Sequence, residues 1–252
     1  MARPVDDRPL VGVLGGMGPA ATADFYAKLV RRTPAGRDQD HLPVMIWADP
    51  RVPDRVSSVR DGTDAAYPAL LYGAHRLAEA GARLAAMPCH TAHFFLERLQ
   101  ADSGLAFVDM VAETVAAAAA RSRRVSRAGL LATAGTLDSG LYQTRLADVG
   151  VEVVTPRPEV QQRVAKAIAM VKGNDTGSAR PLVEDAISHL RNAGAEIVVL
   201  ACTELPLALA GSILDLRDTV LDPTDLLAAA VVREWSALTA LPVTAKSGLD
   251  LT

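Results

Sequence analysis

The amino-acid sequence predicts an α/β fold made of two similar lobes with mainly parallel sheets. Short apolar runs alternate with helix-length segments along most of the chain, as they do where helices connect parallel strands. The stretch GVLGG at 12–16 has a near-repeat, GLLAT, at 129–133. From Gly12 to Cys89 is 77 residues and from Gly129 to Cys202 is 73. Each half therefore begins with a predicted strand, and in each half a cysteine follows a later predicted strand.

The first half predicts three strands and three helices. They are a strand at 10–14, a helix at 19–32, a strand at 44–47, a polar loop at 49–63, a helix at 64–80, a strand at 82–87 and a helix at 92–100. A glycine-rich turn follows the first strand, and Pro19 suits the first turn of a helix. Gly81 marks the end of the second helix.

The second half repeats this alternation. It predicts a helix at 111–120, a strand at 128–131, a helix at 139–149, a strand at 151–154, helices at 158–171 and 181–193, a strand at 195–201, a strand near Val220 and a helix at 224–237. The connection at 172–178 is rich in Gly, Asn and Ser. The tail at 239–252 shows no period and is expected to fray.

Composition and charge exclude several classes of partner. The 252 residues are 50% hydrophobic, enough for a sizeable core. A formal net charge of −3 predicts no nucleic-acid partner. Apolar runs such as 115–120 are far too short to span a membrane, and residues 1–8 lack the apolar core of a signal peptide. We therefore expect a cytoplasmic protein without a membrane partner.

The two cysteines, Cys89 and Cys202, are the candidate reactive groups. A structural disulfide is not expected in a reducing compartment, and unpaired cysteines are commonly inert core residues. Here each ends an apolar strand and precedes a predicted helix start, whose free N–H groups favour an anion and lower a thiol pKa. His93, four residues after Cys89, could assist ionisation or be structural. Glu204 could orient a proton or cap a helix.

Two thiols on opposite sides of a cleft suit a reaction that inverts a carbon centre. The α-proton of an amino acid must leave one face, and a proton must return on the other. One thiolate would act as the base and the other thiol as the acid, and their roles would swap in the reverse direction. Hydrogen-bond donors around the α-carboxylate would stabilise the carbanion.

Several motifs resemble the aspartate racemase branch of the aspartate/glutamate (Asp/Glu/hydantoin) racemase superfamily. They are GVLGGMGP at 12–19 with AT at 21–22, RDQDH at 37–41, IWADPRVPDR at 46–55, MPCHTAH at 87–93, GLLAT at 129–133 and ACTE at 201–204. The two cysteine motifs are the most specific of these. The resemblance runs from about Leu10 to Ala237, nearly the whole chain.

The resemblance implies an enzyme, a PLP-independent and metal-free amino-acid racemase that forms homodimers and uses no cofactor. It implies two Rossmann-like lobes with four-stranded sheets, related by a pseudo-two-fold axis, with the active site in the cleft between them. The first lobe would comprise residues 1–106 plus the returning segment 217–252, and the second 107–216. Aspartate is the expected substrate, with glutamate as the other acidic candidate.

The resemblance also assigns roles to individual residues. Cys89 and Cys202 would be the acid/base pair. Residues expected to contact the α-amino and α-carboxylate groups, with Met17 at the cleft, are Thr91, Thr133 and Thr203. Arg55 and Lys172 would hold the side-chain carboxylate, as charge complementarity also favours, although Arg55 could be solvated and Lys172 could be only a cation at a helix C-terminus.

One residue departs from the family pattern. The family's first cysteine motif normally reads Cys-Asn-Thr, and His90 stands in the middle position here. A neutral histidine offers one donor and one acceptor, whereas a charged histidine offers only donors. His90 is therefore expected at the substrate site, where it could bind the α-carboxylate, lower the pKa of Cys89 or change the preferred substrate.

Three other functions compete with a racemase. The segment 16–21 fits the loose Gly-x-Gly-x-x-Ala fingerprint of NAD enzymes, but Asp38 and Asp40 precede the second strand, whereas that fold needs an acidic residue after it. A maleate isomerase or a decarboxylase of the same superfamily would use one cysteine. A non-catalytic amino-acid-binding protein would leave both thiols unexplained.

Overall fold

A computed structural model describes residues 8–121, 125–211, 213, 216 and 218–240. Its first sheet contains strands β1 (Leu10–Gly15), β2 (Val44–Ala48), β3 (Ala82–Ala86) and β4 (Phe107–Val108), in the spatial order β2-β1-β3-β4. The helices in this part of the chain are α1 (Pro19–Arg32), α2 (Arg55–Arg60), α3 (Tyr67–Glu79) and α4 (Leu96–Ser103). All three strand pairs are parallel.

The second sheet repeats the first. Its strands are β5 (Arg127–Ala132), β6 (Glu152–Val154), β7 (Ile197–Ala201) and β8 (Val220–Leu221), ordered β6-β5-β7-β8 and again parallel. The helices are α5 (Met110–Ala119), α6 (Ala134–Asp138), α7 (Leu141–Asp148), α8 (Pro158–Lys172), α9 (Thr176–Asn192), α10 (Glu204–Ala208) and α11 (Pro223–Ala240). The predicted α/β fold with two parallel four-stranded sheets is confirmed.

Helices cover both faces of each sheet, which explains the continuous apolar runs of the central strands. The first sheet packs against α3 and α4 on one face and against α1 and α11 on the other. The second packs against α8 and α9 on one face and against α5 and α7 on the other. We call each sheet with its covering helices a lobe.

Helix α11 follows the second sheet and returns to the first lobe. It packs against α1 and α5, and the indole N–H of Trp235 donates to the Pro9 carbonyl at 2.9 Å. Because β4 pairs within the first sheet and β8 within the second, the chain changes sheets slightly later than the predicted lobe boundaries at 106/107 and 216/217.

The differences from the predicted elements occur where a local cap or a very short element decides the structure. The predicted polar loop at 49–63 contains α2, which begins where the Asp54 carboxylate accepts from the Ser57 N–H at 2.7 Å. The helix predicted at 139–149 is α7, which begins at Leu141 after Gly140, whose φ is +69°; the short helix α6 just before it was not predicted. Two residues of β4 are too few to show a period.

Other predicted ends shift by a few residues. The helix predicted at 92–100 begins as a 3-10 turn, Thr91–Phe95, and continues as α4. The helix predicted at 181 begins at Thr176, because Asp175 caps it. From residue 241 onward the tail expected to fray lies outside the described residues. No helix in the described ranges combines the length and the apolar character needed to cross a bilayer.

Candidate active site

The order of the strands places the predicted site residues together. In each sheet the first strand of the lobe has the second strand on one side and the third strand on the other. Ligands of such sheets bind beyond the carboxyl ends of the first and third strands, where the strand order changes direction. In the first lobe Met17 follows β1 and Cys89 follows β3. In the second lobe Thr133 follows β5 and Cys202 follows β7. The two cysteines therefore occupy equivalent positions in the two lobes.

The turn after β1 depends on glycine. Gly16 has a φ of +90°, which favours glycine, and a Cβ at this position would lie 2.5 Å from the backbone of Asp49. The close approach of the two chain segments carries the residues after β1 toward the cleft. Met17 is consequently buried there, with 4% of its surface exposed.

One narrow cavity of about 20 Å³ lies between the lobes. Its volume matches one or two water molecules. Every predicted site residue except His93 lines it, together with three residues that the sequence analysis did not single out. The lining residues are Met17, Asp54, Arg55, Val56, Cys89, His90, Thr91, Thr133, Lys172, Ala201, Cys202, Thr203 and Glu204.

Both thiols are unpaired and buried, with 6% of Cys89 and 5% of Cys202 exposed. The Cys202 thiol donates to Oε2 of Glu204 at 3.0 Å. Burial raises the pKa of Cys202 well above its ordinary value, and the negative charge of Glu204 raises it further. Cys202 is therefore a protonated thiol at neutral pH, with its proton directed at the Glu204 side chain.

His93 binds backbone groups with both ring nitrogens. Its Nδ1–H donates to the Cys89 carbonyl at 2.8 Å, and its Nε2 accepts from the Met110 N–H at 3.2 Å. Neither nitrogen is left for a thiol. Of the two roles that the sequence leaves open, the contacts favour the structural one, in which His93 fixes the backbone at Cys89.

His90 lines the cavity and is bound to the opposite lobe through its ring. Its Nδ1 lies 2.8 Å from the hydroxyl of Tyr142, and its Nε2 is buried without a hydrogen-bond partner among the described residues. Burial lowers the pKa of His90 well below its ordinary value of 6.5, and nearby His93 adds to the effect. The ring is therefore neutral at neutral pH.

Three threonine hydroxyls join the lobes beside the cavity. Oγ1 of Thr91, from the first lobe, lies 3.1 Å from that of Thr133 and 2.9 Å from that of Thr136, both in the second lobe. Thr133 and Thr136 are 3.1 Å apart. On the other side of the cavity, Thr203 donates to Oε2 of Glu204 at 3.1 Å.

Arg55 and Lys172 bring positive charge to the cavity from opposite lobes. Nη1 of Arg55 donates to the Val52 and Pro53 carbonyls at 3.2 Å, while its Nε is buried without a partner among the described residues. Lys172 ends α8. The cavity thus contains donors suited to a carboxylate.

Asp54, Thr136 and Tyr142 contribute to the site and were missed by the sequence analysis. The Asp-Arg-Val-Ser stretch at 54–57 resembles a capped helix start, so Asp54 could have been found from its capping position. Nothing in the local sequence distinguishes Tyr142, because it reaches His90 from 52 positions away along the chain.

Comparison with known proteins decides the family. The family model described as Asp/Glu/Hydantoin racemase matches residues 14–231. The chain belongs to the Asp/Glu/Hydantoin racemase family. It is 28% identical over 200 residues to the broad specificity amino-acid racemase RacX of Bacillus subtilis (strain 168), covering 78% of this chain and 86% of that protein. The resemblance predicted from the motifs is therefore confirmed, and with it the class of amino-acid racemases.

Solved structures of this family share the fold. The aspartate racemase of Picrophilus torridus superposes with a TM-score of 0.79 at 32% identity, covering 90% of this chain and 94% of that one. The glutamate racemase of Francisella tularensis subsp. tularensis SCHU S4, in complex with D-glutamate, superposes with a TM-score of 0.68 at 15% identity, covering 95% and 85%. The second likeness concerns the fold alone.

Proposed function

We propose that this racemase interconverts the L- and D-forms of an acidic amino acid, aspartate foremost, by proton transfer between the α-carbon and two cysteines, without a cofactor. One observation carries the proposal. Cys89 and Cys202 come from equivalent strand ends of the two lobes, and both line one buried cavity. This arrangement suits two groups that act on the same carbon from opposite sides.

In the proposed reaction the thiolate of one cysteine removes the α-proton, and the thiol of the other donates a proton to the opposite face. The hydrogen bond from Cys202 to Glu204 supports Cys202 as the proton donor in one direction. When Cys202 acts as the base, Glu204 can first accept its proton. The reaction then leaves both cysteines with exchanged protonation states, which suit the reverse direction.

The cations in the cavity support an acidic substrate. The Nε of Arg55, which has no hydrogen-bond partner among the described residues, can donate to a side-chain carboxylate, and Lys172 adds a second positive charge. Among the relatives, the Picrophilus torridus protein is an aspartate racemase, and the Bacillus subtilis protein has broad specificity. We therefore rank aspartate first, with glutamate as the other acidic substrate.

The small cavity indicates a closed cleft. A volume of about 20 Å³ cannot admit an amino acid, and the threonine hydrogen bonds hold the lobes together beside it. Substrate entry would therefore require the lobes to move apart. Closure around the substrate would exclude water, which strengthens the electrostatic interactions on which carbanion formation depends.

Replacing each cysteine tests the two-base reaction. Cys89→Ser and Cys202→Ser should each lower interconversion of L- and D-aspartate by about 10² or more, since a serine hydroxyl is a far weaker base. In D₂O each variant should still exchange the α-proton of one enantiomer, and the two variants should differ in which one. Chiral chromatography and mass spectrometry measure both quantities.

The exposed Ser188 provides a matched control, because Ser188→Ala changes a hydroxyl on α9 far from the cavity. It should leave the rate unchanged. Near-normal interconversion by either cysteine variant would refute the two-base scheme. Turnover of maleate, or loss of carbon dioxide from the substrate, would instead support the other reactions of the superfamily.

A further inference from the structure

The turn between β1 and α1, residues 16–18, brings the first lobe against the second beside Cys202. Met17 lines the cavity, and a Cβ at Gly18 would lie 3.5 Å from Oε1 of Glu204. The other oxygen of that carboxylate, Oε2, accepts from the Cys202 thiol at 3.0 Å. The position of this turn therefore affects how closely the surroundings of Cys202 are packed.

A single hydroxyl group holds the turn closed. Oγ1 of Thr22, in the first turn of α1, accepts from the Gly16 N–H at 2.9 Å and donates to the Gly18 carbonyl at 2.9 Å. Since a backbone N–H can only donate and a carbonyl can only accept, the directions of both hydrogen bonds are fixed. One side chain thus joins the first residue of the turn to the last.

The Thr22 side chain is itself held by packing. Only 4% of the residue is exposed, and a Cβ at Gly15 would clash with its side chain. Thr22 therefore packs directly on the backbone at the end of β1. A β-branched side chain has few χ1 rotamers, so this packing fixes the direction of the hydroxyl.

Loss of the hydroxyl would affect the turn and not the helix. Within the described residues, the buried Gly16 N–H has no hydrogen-bond partner besides Thr22 Oγ1. An unpaired buried N–H is unfavourable, so the turn would have to move until water could reach it. The Gly18 carbonyl would still accept from the Thr22 N–H at 3.1 Å, which keeps the first hydrogen bond of α1.

We propose that Thr22 is a positioning residue of the racemase, whose hydroxyl keeps the turn 16–18 seated against Glu204 and the cavity and so keeps water away from the Cys202 thiol. The proposal rests on the proposed function for the role of Cys202 in proton transfer. Thr22 does not line the cavity, so it acts through the turn and not on the substrate.

Two substitutions of Thr22 separate its hydroxyl from its shape. Thr22→Val keeps the branched side chain and removes both hydrogen bonds, whereas Thr22→Ser keeps the hydroxyl. We expect Thr22→Val to lower kcat for aspartate about 10- to 100-fold, since a misplacement of about 1 Å can cost that much, and Thr22→Ser to restore most of it. KM should change less, because Arg55 and Lys172 lie outside the turn.

Thr33 provides the matched control at the other end of α1. It is also buried, with 8% exposed, and its hydroxyl donates to the Leu29 carbonyl at 2.8 Å. Thr33→Val therefore removes a buried hydroxyl without touching the turn, and it should leave kcat unchanged. Equal losses of kcat in Thr22→Val and Thr33→Val, or no loss in Thr22→Val, would overturn the proposal.

Two measurements test the same contacts without turnover. By NMR, hydrogen exchange of the Gly16 amide should be slow in the wild type and in Thr22→Ser, and fast in Thr22→Val. In a Cys89→Ser background Cys202 is the only cysteine, and ultraviolet absorbance follows its thiolate. Since burial is the main cause of the raised pKa of Cys202, Thr22→Val should lower this pKa by admitting water, whereas Thr33→Val should not.

None of these Thr22 or Thr33 variants changes a charge near the thiol. The charged or titratable side chains that line the cavity with Cys202 are Asp54, Arg55, Cys89, His90, Lys172 and Glu204. None of them lies on the turn or on α1, so a shifted midpoint of Cys202 reports the access of water.

A fast-exchanging Gly16 amide in the wild type, or an unchanged Cys202 midpoint in Thr22→Val, would show that Thr22 does not act in this way. A wild-type protein that exchanges no α-proton of aspartate would refute the proposed function alone. The amide exchange and the thiol titration would then still decide the role of Thr22, because neither depends on turnover.

Discussion

Lys28 is the buried cation on which the junction between α1 and the second lobe depends, and its removal gives a worked prediction. Its ammonium lies 2.5 Å from the Asp24 carboxylate and 2.7 Å from that of Asp222, and only 7% of its side chain is exposed. Asp222 follows β8 and also accepts from the N–H groups of the first turn of α11. Lys28→Met would leave two largely buried carboxylates without their ion-pair partner.

The expected loss follows from the cost of neutralising a carboxylate. Burial already raises the pKa of Asp222, even though Lys28 opposes this. Without Lys28, at least one carboxyl must take up a proton, which at pH 7 costs about 4 kcal/mol from an ordinary pKa of about 3.9. Removing one partner of a buried ion pair typically costs about 3–5 kcal/mol, so the two values agree.

The pH dependence separates charge from packing. In Lys28→Met the pKa of the carboxyl is higher in the folded state than in the unfolded state. The loss of unfolding free energy therefore disappears when the pH is below the unfolded-state pKa, and it grows as the pH rises. At pH 5 the loss should shrink to about 1.5 kcal/mol. Urea unfolding at pH 5 and pH 7 measures both values, and the exposed Lys166→Met on α8 should change stability by less than about 0.5 kcal/mol. An equal loss at both pH values would refute the electrostatic account.

Two further predictions concern the cavity. Arg55→Ala should weaken the binding of aspartate about 10- to 100-fold more than that of alanine, because only aspartate has a side-chain carboxylate for the Nε of Arg55 to bind. Steady-state KM values compare the two substrates. Equal losses would show that Arg55 does not bind the side chain. Glu204→Gln removes the charge that helps to raise the pKa of Cys202, so the Cys202 thiolate should form at lower pH. Ultraviolet absorbance of the thiolate in a Cys89→Ser background follows this titration, and an unchanged midpoint would contradict the pairing with Glu204.

The sequence predicts the two-lobe fold because each lobe repeats the same local signals. The central strands are covered on both faces, so they read as continuous apolar runs, and Gly16 and Gly81 mark where a strand or a helix stops. The position of each cysteine at the end of such a run was enough to place both at the same edge of equivalent sheets. At these glycines and cysteines the local sequence pattern predicts the same arrangement that the strand order shows.

The parts that the sequence does not predict depend on contacts between distant residues. Tyr142 and Lys28 are ordinary residues on amphipathic helices, and their partners His90 and Asp222 lie 52 and 194 positions away. Helix α2 was missed because the single capping carboxylate of Asp54 determines it, within a stretch rich in proline and arginine. These features depend on tertiary packing or on a single cap, and the local periodicity of the sequence does not indicate them.

The equivalence of the two lobes stops at the cysteines themselves. Cys202 is followed by Thr203 and Glu204 and shares a proton with a carboxylate, whereas Cys89 is followed by a neutral histidine held by the other lobe. L- and D-amino acids have equal free energies in water, so kcat/KM for a racemase must be the same in both directions. The unequal neighbours can therefore change kcat/KM only by the same factor in both directions, whereas kcat and KM themselves can differ between the two directions. For the proposed two-cysteine reaction, we infer that their main effect is to set which cysteine carries the proton before the substrate binds, and hence which enantiomer the resting enzyme is ready to accept.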